Sequence, residues 1–176
     1  SVCVFCGSRA GKTSNFSSIT KEVGTMIAKY GYRLVYGAGG IGLMGELADS
    51  VLKNNGEVLG VIPKHLLDME VAKTDVTSII ITENMHERKK VMFMNSDTIV
   101  ILPGGIGTLD EFFEILTWRQ LNLHSKDIYI ININGFWDKL ISLLDYLIMQ
   151  EFSDCLIQEY YTVITSLHEL DNVLKN

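Results

Sequence analysis

Short runs of β-branched and aliphatic residues alternate along this chain with longer stretches in which apolar residues recur at helical spacing. This alternation is typical of βα units, in which parallel strands form a central sheet that the intervening helices cover. The pattern predicts strands at Val2–Cys6, Arg33–Tyr36, Glu57–Ile62, Ser78–Ile81, Thr98–Leu102, Ile128–Ile133 and Thr162–Ile164. It predicts helices at Asn15–Tyr30, Leu43–Asn55, Glu83–Asn95, Thr108–Leu121, Phe136–Gln150 and Ser166–Leu174.

No repeat, low-complexity tract or linker interrupts this series. The expected fold class is therefore α/β, as a single doubly wound Rossmann-like domain over residues 1–176, with a mostly parallel sheet and helices on both faces. One domain also suits the length, because about 100 to 200 residues make a domain. Such sheets bind their ligands at the carboxyl ends of the strands.

The charge and the cysteines limit the possible partners and the compartment. A net charge of −6 argues against nucleic acid as the main partner, because nucleic-acid binders need clustered cations. No apolar run approaches the roughly 18 to 20 residues that span a bilayer, and no signal segment opens the sequence, so we expect a cytoplasmic protein without a membrane partner. The three cysteines, Cys3, Cys6 and Cys155, fit a reducing compartment. Cys3 and Cys6 should face opposite sides of a strand, which disfavours a redox or metal role.

Three glycine clusters follow three of the predicted strands, at Gly7–Gly11, Gly37–Gly45 and Gly104–Gly107. The carboxyl ends of parallel strands lie at one edge of a sheet, and helix N-termini at that edge attract anions. The clusters therefore predict a ligand that carries phosphate. Glycine also turns a strand tightly into a helix, which is the simpler explanation for each cluster taken alone.

The first two clusters resemble nucleotide motifs without completing them. The segment Gly7–Thr13 is one residue short of a P-loop, with Cys6 where the first glycine is required, although Ser8 and nearby amides can bind a monophosphate or a ribose. The segment Gly37–Gly42 satisfies GxGxxG, but the next strand ends without the acidic residue that would hold a dinucleotide ribose. We favour a close helix–sheet turn that lines a pocket over NAD binding.

The third cluster is the most specific. Thr108 and Glu111 fit a T-x-x-E capping box, which would explain both residues without a function. The glycines before them exceed what a cap requires, so Glu111 is a candidate for contacting a sugar hydroxyl or a cationic transition state. Upstream, Arg88 shares its helix side with Met92 and should face a carboxylate or phosphate. His86 is either an acid–base group or a surface histidine.

Together these segments resemble the LOG (lonely guy) family of cytokinin riboside 5′-monophosphate phosphoribohydrolases. Pro103–Glu111, preceded by Met85–Lys89, matches its PGGxGTxxE signature. The resemblance extends to Cys6–Ser8, Tyr36–Gly45, Gly60–Pro63 and Thr117–Trp118.

This resemblance implies hydrolysis of a nucleoside 5′-monophosphate, either a cytokinin riboside 5′-monophosphate or AMP, to free base and ribose 5-phosphate. It implies a homodimer without metal or organic cofactor. The catalytic pair falls on Arg88 and Glu111. The expected substrate-binding residues are Gly7, Ser8, Gly39, Gly40, Glu70, Met85, Lys89, Gly104, Gly105, Ile106, Gly107, Thr108, Leu109, Asp110 and Thr117. Among them, Lys89 and the amides from Gly105 to Thr108 should hold the phosphate.

Departures from the family pattern are Ala38, Asn122 and Asp127, where the family usually has glycine, glycine and proline. Asn122 suits a left-handed helix end, and Ala38 matters if its φ must be positive. The alternative function is a non-catalytic nucleotide or molybdenum-cofactor carrier. The older lysine decarboxylase label of this family is disfavoured, because the chain lacks a recognisable pyridoxal-phosphate constellation.

Overall fold

The computed structural model describes residues 1–67 and 72–175. Within them the strands are β1 (Val2–Phe5), β2 (Leu34–Tyr36), β3 (Val58–Pro63), β4 (Ser78–Thr82), β5 (Thr98–Ile101), β6 (Asp127–Ile131) and β7 (Thr162–Ile164). The helices are α1 (Ser14–Lys29), α2 (Gly42–Lys53), α3 (Met85–Met94), α4 (Ile106–Gln120), α5 (Asp138–Met149) and α6 (Leu167–Lys175). Short 3-10 turns occur at Lys64–Leu66, Ile133–Gly135 and Cys155–Glu159. None of the described helices combines the length and the hydropathy needed to cross a membrane.

All described strands pair in parallel in one sheet, with the order β4-β3-β2-β1-β5-β6-β7. The strand order reverses at β1, because β2 lies on one side of it and β5 on the other. In register, Phe5 at the end of β1 lies beside Ile101 at the end of β5. This pair of strand ends is the switch point at which doubly wound sheets form a crevice.

Helices cover both faces of the sheet, as predicted. Buried side chains of α1, α2 and α6 pack on one face, and those of α3, α4 and α5 pack on the other. Side chains alternate between the two faces along β1, since Val2 and Val4 belong to the first core and Cys3 and Phe5 to the second. Cys6 returns to the first core, which confirms that Cys3 and Cys6 face opposite sides. The α/β Rossmann-like fold class is confirmed.

The end of α4 shows why Asn122 replaces a glycine without difficulty. Asn122 has φ +57°, in the left-handed region. Its N–H donates to Arg119 O at 3.0 Å, and Leu123 N–H donates to Trp118 O at 2.9 Å. These two bonds form a Schellman motif, in which the left-handed residue is usually glycine and next most often asparagine. The prediction for Asn122 is confirmed.

The neutral imidazole of His124 links the end of α4 to the segment that leads into β6. Its Nδ1 accepts the backbone N–H of Lys126 at 3.2 Å, which leaves the proton on Nε2, 2.9 Å from Ile115 O. Partial burial lowers the pKa of His124. The bond to Ile115 O raises this pKa, whereas the positive charges of Arg119 and Lys126 lower it further. The ring also packs edge-on against Phe93 of α3, with 5.0 Å between centroids.

We expect the free energy of unfolding to fall as the pH drops below 6.5, the ordinary histidine pKa, because the unfolded chain binds a proton at His124 more readily than the folded chain. The contribution of neutral His124 is present above that pH and is lost towards the lower pKa of the folded state. Urea unfolding of the wild type and His124→Gln between about pH 8 and about pH 5 measures it. His168→Gln, on an exposed part of α6, is the control. A wild-type pH profile in His124→Gln would contradict this account.

Candidate active site

A cavity of about 530 Å³, here called the main cavity, opens at the carboxyl ends of β1 and β5. This is the switch point of the sheet, where ligands of such folds bind. The predicted site residues that line it are Gly7, Ser8, Met85, Arg88, Gly104, Gly105, Ile106, Gly107, Thr108, Asp110 and Glu111. Among the described residues, its lining does not include the predicted Gly39, Gly40, Lys89, Leu109 or Thr117. Glu70 lies outside the described residues.

The loops after β1 and β5 meet through their backbones. Gly7 N–H donates to Pro103 O at 3.0 Å, and Met44 N–H donates to Gly7 O at 3.3 Å. A Cβ at Gly104 would lie 3.0 Å from Gly7 N and would overlap the Thr108 hydroxyl. Only glycine allows this approach at position 104, so the two loops and α2 form one continuous wall.

Helix α4 begins at Ile106, two residues earlier than the predicted start, with Gly105 as its N-cap. Thr108 therefore lies inside the first turn, where its hydroxyl occupies the space beside Gly104. The capping-box interpretation of Thr108 and Glu111 is wrong, because a capping residue must precede the first turn. The first-turn amides from Ile106 to Thr108 have no acceptor within the helix.

Open space adjoins this helix start. A Cβ added to Gly105 or Gly107 would meet no atom within 4 Å, and Ile106 between them is 84% exposed. The amides at the start of α4 can therefore be approached by an anion of the size of phosphate.

A capped start is found on α3 instead. Asn84 Oδ1 accepts the N–H of Glu87 at 2.9 Å, and the Glu87 carboxylate accepts the N–H of Glu83 at 2.7 Å. Exposed Glu87 thus stabilises the beginning of the helix that carries Arg88 one residue later.

Arg88 is only 4% exposed, although it carries a full charge. Its Nη2 donates to Gly37 O at 2.6 Å and its Nε donates to Val61 O at 3.1 Å. Any Cβ at Gly37 would overlap the guanidinium, so this position must stay glycine for Arg88 to lie there. The two carbonyls, one directly after β2 and one within β3, fix the Arg88 charge at the inner wall of the main cavity.

Glu111 lies in the second turn of α4 on the same cavity wall. Burial raises the pKa of the Cys3 and Cys6 thiols, and the negative charge of Glu111 raises both further. The charge of Arg88 acts on Cys3 in the opposite direction. Charges of both signs therefore act on the same strand end. Because its pKa is high, Cys6 stays a thiol at neutral pH and does not act as a nucleophile.

Lys89 points to a second cavity of about 420 Å³, here called the outer cavity. Its ammonium lies 3.0 Å from Asp110 Oδ2 and 2.9 Å from Glu114 Oε2. Thr117 and Trp118 line the same cavity, and Asp110 belongs to both cavities. Two carboxylates neutralise Lys89, and hydrogen bonds to both outweigh burial and raise its pKa.

The second glycine cluster makes a close helix–sheet turn. A Cβ at Gly39 would lie 2.9 Å from Met44 Cε, and one at Gly45 would overlap Gly40 O. Ala38, where the family usually has glycine, has φ +57° and therefore adopts the left-handed conformation that favours glycine. The prediction of a close turn is confirmed for this cluster. Leu43 and Met44, which follow this turn, line the main cavity, whereas Gly39 and Gly40 are not among the described residues that line it.

Several lining residues were missed by the sequence analysis, among them Cys6, Arg9, Gly11, Phe16, Leu43, Met44, Pro103 and Phe136. Phe16 and Phe136 touch edge to face, with 5.2 Å between ring centroids and 77° between planes. Two of them could have been predicted from their positions in the sequence. Phe136 follows the end of β6, and Arg9 lies within the first glycine cluster. No cluster of three or more His, Cys, Asp or Glu suited to a metal ion occurs in the described part of the chain.

Comparison with known proteins identifies relatives over most of the chain. The family described as "possible lysine decarboxylase" matches residues 24–174. The probable cytokinin riboside 5′-monophosphate phosphoribohydrolase LOGL1 of Oryza sativa subsp. japonica is 43% identical over 144 residues, which cover 82% of this chain and 65% of that protein. The cytokinin riboside 5′-monophosphate phosphoribohydrolase LOG1 of Arabidopsis thaliana is 39% identical over 151 residues, which cover 86% of this chain and 71% of that protein. The chain thus spans just under two thirds of the rice relative.

Solved structures with the same fold include molybdenum-cofactor proteins. The Moco carrier protein of Chlamydomonas reinhardtii has a TM-score of 0.73 and 20% identity, covering 99% of this chain and 94% of that one. The molybdenum cofactor binding protein of Rippkaea orientalis has a TM-score of 0.72 and 18% identity, covering 99% and 93%. At this identity the likeness extends to the fold alone.

We expect Arg88→Lys to lower the free energy of unfolding by about 1–3 kcal/mol, because one ammonium cannot replace both hydrogen bonds and leaves a buried carbonyl unsatisfied. Denaturant unfolding measures the loss. Lys90→Arg is the matched control, since Lys90 is exposed on the same helix and its replacement should change stability by less than about 0.5 kcal/mol. Equal stability of Arg88→Lys and Lys90→Arg would show that the two hydrogen bonds of Arg88 do not stabilise the fold.

Proposed function

Since this chain belongs to the LOG family of cytokinin riboside 5′-monophosphate phosphoribohydrolases, we propose that it hydrolyses the N-glycosidic bond of a nucleoside 5′-monophosphate. The substrate is a cytokinin riboside 5′-monophosphate or AMP. Water adds to the anomeric carbon, the base leaves with the electron pair of the C–N bond and gains a proton, and ribose 5-phosphate is released. The observation that carries the proposal is that Glu111 and Arg88 line the same cavity as the glycine-rich start of α4.

Glu111 is the catalytic carboxylate in this proposal. Positive charge grows on the ribose ring as the base departs, and a fixed carboxylate near the anomeric carbon lowers that barrier. The same group orients the attacking water and takes its proton. The place of Glu111 one turn beyond the exposed amides of α4 supports this role, because a ribose lies next to its own 5′-phosphate.

Arg88 supplies a fixed positive charge at the inner wall. Its hydrogen bonds to Gly37 O and Val61 O hold the guanidinium in one position, so little reorganisation is needed during the reaction. In this proposal Arg88 orients Glu111 and the bound ribose or base by charge-assisted contacts.

The first-turn amides of α4 receive the 5′-phosphate in this proposal. Gly105 and Gly107 leave room for it, and the helix start carries a positive partial charge. A phosphate held there supplies binding energy remote from the bond that breaks. Ser8 and Gly7, on the facing loop, and Met85, at the start of α3, complete the expected contacts.

We also propose a homodimer that packs through the outer faces of α3 and α4. Lys89 and Thr117, which the family resemblance assigns to the substrate, line the outer cavity next to Asp110. Exposed apolar side chains lie at the ends of the same two helices, at Met94, Leu121 and Leu123. A second copy seated there would lie beside the substrate and cover these side chains.

Residues 1–176 act as one nucleotide-binding domain in this proposal, without metal or organic cofactor. The net charge of −6 supports a small nucleotide rather than nucleic acid as partner. Three free cysteines support a cytoplasmic location, where thiols stay reduced.

Lysine decarboxylation does not fit the residues of the main cavity. A pyridoxal-phosphate enzyme needs a lysine for its Schiff base. The lining formed by the described residues contains arginines but no lysine, and Lys89 faces the outer cavity between two carboxylates. The carboxylate of Glu111 at the cavity wall disfavours the alternative of a non-catalytic carrier. Release of free base from AMP distinguishes the enzyme from the carrier.

We expect Glu111→Gln to bind AMP with nearly unchanged affinity and to lose at least about a hundredfold in kcat, because the amide keeps the shape but not the charge. Steady-state kinetics with separate measurement of AMP binding test this. Glu22→Gln, on an exposed part of α1, is the charge-matched control. Normal turnover by Glu111→Gln would remove the residue from catalysis.

The phosphate requirement tests the proposed function as a whole. We expect kcat/KM for AMP to exceed that for adenosine about a thousandfold, since about 4 kcal/mol of phosphate binding energy corresponds to three factors of ten. ATP should be a poorer substrate, because the loop at Gly7–Thr13 is too short to wrap further phosphates. Chromatography of the released base, with a prenylated AMP assayed in parallel, gives these values. Equal rates for adenosine and AMP, or binding of all four compounds without base release, would refute the proposal.

A further inference from the structure

The main cavity has few full positive charges with which to meet a phosphate. Among the described residues that line it, the cations are Arg9 and Arg88. Arg88 is buried and already donates to two backbone carbonyls. Lys89 is held by Asp110 and Glu114 at the outer cavity. Arg88 is thus fixed at the inner wall, and the cation with an exposed side chain that can turn towards a phosphate in the main cavity is Arg9.

The backbone of Arg9 is placed by close contacts on both sides. A Cβ at Gly42 would overlap the backbone of Ser8 and lie 2.6 Å from Arg9 N, so the loop rests directly on the start of α2. A Cβ at Gly7 would lie 3.1 Å from Arg9 O. Further along the loop, Gly11 has φ +78° and packs against the ring of Phe16. These contacts fix the loop that carries Arg9 while its side chain stays exposed at the cavity.

The side chain of Arg9 forms no hydrogen bond or ion pair with another described residue. With respect to the described residues, its guanidinium therefore keeps five donors available, in the planar arrangement that matches phosphate oxygens in pairs. The charges that line the cavity are Arg9 and Arg88 against Asp110 and Glu111, which sum to zero. Without Arg9 the lining would be net negative, and a dianionic phosphate would meet repulsion.

We propose that Arg9 binds the 5′-phosphate of the substrate, together with the first-turn amides of α4. This inference rests on the proposed function and extends it, because it moves the phosphate-binding cation from Lys89 to the loop after β1. Arg9 acts in binding and not in breaking the glycosidic bond, so its loss should appear in KM rather than in kcat.

The test uses Arg9→Ala, Arg9→Lys and Lys12→Ala. Lys12 is the matched control, since it is an exposed cation of the same loop that does not line the main cavity. Isothermal titration calorimetry with ribose 5-phosphate measures binding without turnover, and kinetics with AMP and adenosine separate KM from kcat. We expect Arg9→Ala to raise the Kd for ribose 5-phosphate and the KM for AMP about 30-fold, and to narrow the preference for AMP over adenosine by a similar factor. Arg9→Lys should recover part of the loss.

An effect of Lys12→Ala as large as that of Arg9→Ala would show general charge attraction and overturn the proposal. So would Arg9→Ala binding ribose 5-phosphate within about threefold of the wild type, since a charge-assisted pair contributes more than that. Wild-type protein that does not bind ribose 5-phosphate would also overturn it. If the wild type binds ribose 5-phosphate but releases no base from AMP, the proposed function fails, and the calorimetric comparison of the variants still decides the role of Arg9.

Discussion

The backbone hydrogen bond from Gly7 to Pro103 joins the two loops at which the strand order of the sheet reverses. It forms because the positions that meet there, 7 and 104, are both glycine. Through this contact the loop that carries Arg9 and the helix that carries Glu111 border one cavity. A larger residue at position 104 would push the Thr108 hydroxyl away and separate the two walls. The geometry of the site thus depends on the absence of a side chain at positions 7 and 104, where the two loops meet.

Most of the fold could be predicted from the sequence, because the central strands β1, β2 and β3 are buried on both faces and helices such as α1 and α2 carry one apolar side. These requirements produce runs and periods that are visible without coordinates. The start of α4 could not be placed from such patterns, since Gly-Ile-Gly has weak helical preference and a threonine that fits an N-cap follows it. The Thr108 hydroxyl packs beside Gly104, four residues earlier in the chain, and this close contact accompanies the earlier start.

The site was predictable where neighbouring residues in the chain form it. Gly104 to Thr108, Asp110 and Glu111 line the main cavity because one strand end and one helix start bring them there together. The direction of Lys89 was not predictable, because its partners Asp110 and Glu114 lie on another helix. The aromatic pair of Phe16 and Phe136 combines residues 120 positions apart, and no local pattern joins them.

The placement of the cysteines makes this chain convenient for spectroscopy. Cys3 and Cys6 are buried with raised pKa values, so they react slowly with electrophiles. Cys155 is exposed in the 3-10 turn that precedes β7, and a turn before a parallel strand lies at the amino edge of the sheet, opposite the main cavity. A fluorophore or spin label aimed at thiols therefore attaches at one defined point remote from the ligand. Binding can be followed on the natural sequence without first removing any cysteine.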